Sequence, residues 1–374
     1  MFIFFGIFSI INLLLNFKAN ESLFLPVQLI TKKFLIILKI LIIFFTTNNL
    51  YSSENQFDDY GIIALMYHRF EENKYPSTNI RMADFKAHID MINEQNIKFV
   101  NPNTFVKELK DNKATRKVLL TIDDGFLSFY NNAWPLLKEK EIPFILFVST
   151  REVGKKGYMS WDQIKEVSKE KFTHIGNHSH SHGYLIDETP EVIKNDLIKS
   201  KEIFETNLGK NSPFFSYPFG EYSNKLKEIV INLDFDYAFG QHSGVMDETK
   251  NFFELPRFPI NEKYGKLDRF KTLLKTLPLK YQKILPEEKY INNKTNPPEV
   301  SVKFFEDLYQ IKLINCFSNE EDKWRKSKTT IVDNTLKVKL DGKFTTERGR
   351  INCSLQEKNG FYRWLGMQFV VAEK

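Results

Sequence analysis

The sequence predicts an α/β fold, a parallel sheet covered by helices, followed by a small β-rich region. Three observations predict it. Apolar runs alternate with amphipathic segments from Gly61 to about Leu277, the composition then turns rich in Pro, Lys and Asn, and from Val302 onward apolar residues recur at every second position. Strand–helix alternation over ~200 residues implies a parallel sheet with helices on its faces. Period two with polar partners describes half-buried antiparallel strands.

In chain order, the strand-like runs are 62–67, 118–122, 144–148, 172–176, 214–217, 237–239 and 255–260. Helical patterns between them include 82–93, 129–140, 190–208 and 225–233. Pro190 opens one helix, because a first turn tolerates its missing N–H, and Thr189 before it is the expected N-cap. Seven strands suit either an open sheet or a barrel, and the pattern leaves both open. Pro278, Pro286, Pro297 and Pro298 punctuate residues 278–300, which read as a linker. Residues 301–374 read as a small β-sandwich-like domain. There Leu336, Val338 and Leu340 alternate with Lys337 and Lys339, and Ile351, Cys353 and Leu355 with Asn352 and Ser354.

The 374 residues are enough for one large domain, here 56–277, and a small one. A net charge of +6 is modest, and no Lys/Arg cluster makes a nucleic-acid footprint. Residues 1–55 stand apart. Residues 2–17 are almost wholly apolar, and a second apolar stretch, 34–45, follows Lys32 and Lys33. The second has the basic and short hydrophobic regions of a secretory signal. The first is shorter than the ~20 residues of a usual span. If both cross a membrane, Lys18, Lys32 and Lys33 hold the loop between them inside. Either way the globular part is expected to be exported, periplasmic or extracellular, with membrane anchoring through these segments as one outcome. Cys316 and Cys353 then meet an oxidising compartment and either bond or stay as two buried thiols.

Two motifs carry chemistry. Thr121-Ile122-Asp123-Asp124-Gly125 ends an apolar run in two carboxylates, at the strand end where α/β folds build their sites. Adjacent carboxylates repel, so one needs a cation or a proton; the plain alternative is a solvated Asp-Asp-Gly turn. His178-Ser179-His180-Ser181-His182 follows another strand, and one helical turn would put His178 and His182 on the same side. Asp124, His178 and His182 make a two-histidine, one-carboxylate set with coordination positions left open, the catalytic kind. Zinc is the default divalent ion, and the set also holds iron, cobalt or nickel. Water on such an ion becomes acidic, and Asp123 is the obvious base for its proton.

Thr-Ile-Asp-Asp-Gly followed by His-Ser-x-Ser-His resembles the first two motifs of the polysaccharide deacetylase family, also called carbohydrate esterase family 4 or the NodB-homology family. Leu65-Met66-Tyr67-His68 and Ser216-Tyr217-Pro218-Phe219-Gly220 are similar as well. The resemblance covers 61–277 and implies a distorted (β/α) barrel of about seven strands with a groove for a sugar polymer. It implies Asp123 as the general base, Asp124, His178 and His182 as metal ligands, and the Phe219 N–H as a donor to the oxyanion. The implied activity is metal-dependent removal of N-acetyl groups from an N-acetylglucosamine-containing polysaccharide, with the metal-bound water as nucleophile. Without the family, 217–220 reads as an ordinary Pro-Gly turn.

The sequence departs from the family in two places. Where many members carry an arginine before Pro-Phe/Tyr-Gly, this chain has Ser216, and where many carry a late Leu-x-His it has Leu255-Pro256-Arg257. Arg257 could orient the base from a different strand, and the general acid is left to His242 or His68. An O-acetyl esterase on a wall polymer, whose ester needs no strong acid, is one alternative function. A catalytically inactive sugar-binding protein is another. Tyr362 and Trp364 share one face of a strand, where they either stack on sugar rings or fill the core.

Overall fold

The computed structural model describes residues 60–110, 115–305, 310–357 and 359–372. The N-terminal apolar segments, and with them the signal or anchor reading, lie outside the described residues. Among the described residues no helix is long and apolar enough to cross a membrane.

The apolar runs become β1 (Ile62–Tyr67), β2 (Lys117–Ile122), β3 (Phe144–Val148), β4 (Thr173–Asn177), β5 (Phe214–Ser216) and β6 (Tyr237–Phe239). Two short strands follow, β7 (Val245–Met246) and β8 (Phe258–Pro259). The order is β7-β1-β2-β3-β4-β5-β6, with β8 also beside β1, and only the β1–β7 pairing is antiparallel. This curled sheet of seven successive strands is the distorted (β/α) barrel. Every residue of β1, β2 and β3 is buried, as continuous apolar runs in parallel sheets require. Ile63, Leu65 and Tyr67 pack outward on Phe85, Ile89 and Ile92 of α1 (Met82–Glu94). Ile62 and Ala64 face inward with Leu119, Ile145, Phe147 and Phe239.

The expected strand at 255–260 is divided between two partners. Leu255 bridges to Phe239 of β6, and Phe258 pairs with Leu65 of β1. This segment therefore spans the gap between the last and first strands and carries Arg257 into the barrel.

Around the sheet lie α2 (Phe105–Lys110), α3 (Trp134–Glu139), α4 (Trp161–Ser168), α5 (Pro190–Leu208), α6 (Asn224–Asn232) and α7 (Leu267–Leu273). α5 has the Thr189 cap and N1 proline, and ends at Gly209 with φ 68°. The 129–140 pattern is a π-helical turn, Phe129–Ala133, running into α3.

The C-terminal part forms two sheets over one core. β9 (Thr276–Pro278), β10 (Lys283–Leu285), β11 (Tyr290–Ile291), β12 (Val300–Lys303), β13 (Asn315–Ser318) and β14 (Arg325–Lys326) come first. β15 (Lys328–Val332), β16 (Thr335–Lys339), β17 (Arg348–Gln356) and β18 (Tyr362–Val371) complete them. One sheet runs β9-β18-β17-β13-β14 with β11 against β18, the other β10-β12-β16-β15. Val302, Leu336 and Val338 of the second meet Ile351, Cys353 and Leu355 of the first. The stretch read as a linker is built into these sheets, since β10 pairs with β12 and β11 with β18. Its strands are two and three residues long, too short to show a period. Cys316 and Cys353 sit opposite each other on β13 and β17 and are disulfide-bonded. All described residues fall in one compact unit.

Candidate active site

β2 ends at Ile122, and the two carboxylates leave it in different directions. Asp123 is still tied to the sheet, its N–H donating to the Tyr67 carbonyl at 2.9 Å. Asp124 and Gly125 then take left-handed conformations, φ 76° and 71°. Aspartate tolerates that region better than most residues, and glycine enters it freely. The reversal buries the Asp123 side chain completely and turns Asp124 toward an open cleft.

Asp124 meets both histidines. Its Oδ1 lies 3.3 Å from His178 Nε2 and 3.1 Å from His182 Nε2. That oxygen is buried and makes no hydrogen bond of acceptable geometry. Bonds of 2.0–2.1 Å in a tetrahedral site place neighbouring ligand atoms ~3.3 Å apart. The two Asp124 spacings match that separation, and all three atoms lie within 4.8 Å of one another. His178 Nδ1 donates to the Ser216 carbonyl at 2.7 Å, which leaves Nε2 with its lone pair toward the other two. The residues fit a divalent cation. Burial pushes the Asp124 pKa up, but the flanking imidazoles more than offset this and hold it well below the carboxylate range. Burial pushes His182 down, and Asp124 outweighs it and raises it.

No helical turn brings the histidines together. Residues 178–184 form a loop with Ser179 and His182 at φ 68° and 51°. Asp196 of α5 holds it, accepting from the N–H groups of His180 and Ser181 at 2.8 and 2.9 Å. Ser179 Oγ accepts from the His182 N–H, and Asn177 Oδ1 from the Ser179 N–H. His180 turns aside to Thr150 Oγ1 at 2.9 Å.

Arg257 reaches the other carboxylate. Its two terminal nitrogens donate to Asp123 Oδ1 and Oδ2 at 2.7 and 2.8 Å, and both residues have no exposed surface. The rest of the guanidinium is also satisfied, by Gly240 O, Thr121 Oγ1 and Ser216 Oγ. Ser216 in turn donates to Asp123 Oδ2 at 3.3 Å. Burial pushes the Asp123 pKa up, and Arg257 more than reverses this.

The cleft encloses about 810 Å³, and His68, Asp124, His178, His182, Phe219 and His242 all line it. A second hollow of about 310 Å³ reaches Asp124 and His182 past Ser149, Glu152 and Tyr158. Phe219 has φ 58°, with the His182 ring edge-on at 4.7 Å and Tyr184 stacked on it at 4.2 Å. The two candidate acids differ. His68 is lowered by burial but opposed by Asp124 and Asp123, so it lies in the field of the cluster. Burial brings His242 to about 4, Glu254 opposing the shift and Lys289 adding to it, and its Nδ1 makes no hydrogen bond among the described residues.

Residues 110–238 match the family model for polysaccharide deacetylases. The matched stretch is 129 of the 374 residues and contains Asp123, Asp124, His178 and His182. The poly-β-1,6-N-acetyl-D-glucosamine N-deacetylase of Staphylococcus aureus is 23% identical over 248 residues, 59% of this chain and 84% of that one. IcaB from Ammonifex degensii has a TM-score of 0.53 at 24% identity, over 57% of this chain and 97% of that one. The Streptococcus pyogenes deacetylase PplD, solved with acetate, has 0.50 at 23%, over 55% and 94%. At these identities the two structures share the fold.

The structure brings to the site residues that the sequence did not single out, Asp196, Arg348 and Asn352. Asp196 lies among the charges of an amphipathic helix and reads there as solvated. Arg348 of β17 bonds buried Glu221 at 2.7 Å, and its guanidinium lies 5.6 Å from the Phe219 ring. Trp364, which the sequence offered either for sugar stacking or for the core, packs on Phe258, donates to Asn352 at 3.3 Å and lines the cleft. The signal for Arg348 and Asn352 was the alternation of β17, whose polar face looks solvent-facing in one dimension.

Proposed function

We propose that this deacetylase is metal-dependent and hydrolyses acetamido groups of an N-acetylglucosamine-containing polysaccharide outside the cytoplasm. One observation carries the reading: an Asp–His–His cluster shaped for a cation opens on a cleft beside a second carboxylate that Arg257 keeps ionised. The staphylococcal relative's N-deacetylase activity supports an amide rather than an ester. The apolar stretches 2–17 and 34–45 and the disulfide support export.

Asp124, His178 and His182 would hold a divalent ion, zinc before cobalt or nickel by donor type, and that ion would supply Lewis acidity to water and to the acetyl oxygen. Asp123 takes the proton of the attacking water. Arg257 and Ser216 fix its carboxylate in one orientation, and its lowered pKa keeps it ionised at neutral pH. The Phe219 N–H donates to the developing oxyanion from a loop fixed by its left-handed residue. His68 hands a proton to the departing amine. Burial lowers both candidate rings; His68 is favoured because Asp124 and Asp123 oppose the lowering there, whereas His242 is brought to about 4 and faces Glu254 and Lys289 instead.

Acetate release from N-acetylglucosamine oligomers by the full chain tests this. Chelation should abolish release and zinc restore it, and His178→Ala should lose metal and activity together. Asp123→Asn should keep its metal and slow turnover by roughly 10²–10⁴-fold, and His68→Ala should slow it more than His242→Ala. Near-normal turnover in metal-loaded Asp123→Asn would sink the base assignment. No release with any metal would sink the N-deacetylase reading.

A further inference from the structure

One wall of the cleft plays no part in the proposed chemistry. β17 runs along it with Arg348, Arg350 and Asn352 toward the cleft, while Ile351, Cys353 and Leu355 on its other face are buried in the β-core. Phe317 of β13 stands opposite Asn352 and lines the cleft with Trp324. These two aromatics are 43% and 50% exposed, unusually open for side chains of their size. The barrel adds Lys263, Tyr264 and Arg269 from the other side.

The charge on this lining is one-sided. Two lysine or arginine side chains from each half line the cleft, and the one carboxylate among the described lining residues is Asp124, a proposed metal ligand. Arg348 is already paired with Glu221. Arg350 and Arg269 have no carboxylate partner among the described residues. Arg350 Nε reaches only the Gln368 amide oxygen at 3.5 Å. Arg269 donates to the Tyr264 carbonyl, and its guanidinium lies 4.9 Å from the Tyr264 ring. Both are half-buried, and burial lowers the pKa of each.

Covering two such cations with a neutral polymer would bury them further with nothing to balance them, a desolvation cost with no return. An anion reverses the balance, because a guanidinium fork matches carboxylate or phosphate oxygens in pairs. We propose that the cleft is built for an acidic polysaccharide, whose carboxylate or phosphate binds at Arg269 and Arg350 while the sugar bearing it lies against Phe317 and Trp324. The proposal rests on the deacetylase reading for the amino-sugar, and adds the charge the polymer must carry.

Three oligomers of one backbone test it: an N-acetylglucosamine hexamer, the same hexamer with alternate C6 positions oxidised to carboxylates, and one phosphorylated there. Acetate release and calorimetric binding are measured for the full chain, Arg350→Gln, Arg269→Gln and Arg350→Lys, at low and high salt. One acidic hexamer should exceed the neutral one by about tenfold in kcat/KM, and which one identifies the anion. The ratio should fall several-fold in each glutamine variant and at high salt, with Arg350→Lys retaining part of it. A wild-type ratio near one overturns the proposal, as does a ratio that survives both glutamine variants. If no hexamer releases acetate, binding decides. Tighter binding of an acidic hexamer, lost in the glutamine variants, upholds the acidic subsite while the deacetylase reading fails; equal binding overturns the subsite. If a glutamine variant does not fold, Arg350→Lys and the salt dependence carry the comparison by the same criteria.

Discussion

Arg257 and Asp123 form a bidentate pair with no exposed surface on either side. In such a pair each charge is tolerable only because of the other, and removing one typically costs about 3–5 kcal/mol. Arg257→Gln should therefore lower stability by roughly that amount, read from urea unfolding, and also lower kcat/KM because Asp123 loses its orientation. Arg257→Lys should recover part of the stability and little of the rate, since an ammonium cannot bond both carboxylate oxygens and Ser216 in one plane. Unfolding of Arg257→Gln at the wild-type urea midpoint would show that the pair contributes nothing. Ser216 belongs to the same arrangement: its small hydroxyl takes a place beside Asp123 and leaves the guanidinium to enter from the segment closing the barrel.

At the scale of elements, function depends on how β18 docks against the barrel. Gly366 lies so close to the 243–244 loop that a Cβ there would be 2.3 Å from Ser243 O and 2.8 Å from Ser243 N. Leu365 bridges to Gly244 beside it. Only a residue without a side chain allows that approach. Gly366→Ala should destabilise the protein by about 1–3 kcal/mol, the usual range for overpacking. It should also raise KM, because Ser243 and Asn352 line the cleft on either side of the contact. Unfolding and KM both unchanged would mean that the loop yields freely. The Cys316–Cys353 bond ties the same sheet together, joining the two strands next to β18 in the order β18-β17-β13.

For the molecule as a whole, histidines shielded by folding set a dependence of stability on pH, His88 and the partly exposed His174 in addition to His242. His88 accepts from the Tyr67 hydroxyl, bonds the Gly265 carbonyl through Nε2 and stacks on Phe270 at 3.8 Å. Burial, only partly opposed by Gly265 and Asp84, brings its pKa to about 4. Burial and then Lys210 bring His174 to about 4 as well. Both folded-state values lie below the unfolded value near 6.5, so the unfolded chain binds more protons between the two. Their contribution is present above pH 6.5 and is lost as pH falls toward 4. Each ring adds a slope of up to about 1.4 kcal/mol per pH unit. Urea unfolding at pH 7 and pH 5 should show the loss, and His88→Gln should flatten the slope while starting from lower stability. Equal stability at the two pH values would mean that none of these rings is held below the free histidine value.

Much of the barrel is legible in one dimension because its signals are local. β1 and β3 are continuous apolar runs of strand length, and Thr189, Pro190 and Gly209 bound α5 by backbone chemistry alone. Asp123 with Asp124, and His178 with His182, stand out because each pair is close in the chain and sits at a strand end. Folding alone decided what joins them. The loop that aims the histidines is held by Asp196 on the next helix, and the partner of Asp123 comes from 134 residues away. The polar face of β17 became a wall of the cleft because β18 docks through Gly366. Propensity, capping and periodicity act over a few residues and so are written in the sequence. Ion pairing and shared cavities depend on distances that exist only once the chain has closed on itself.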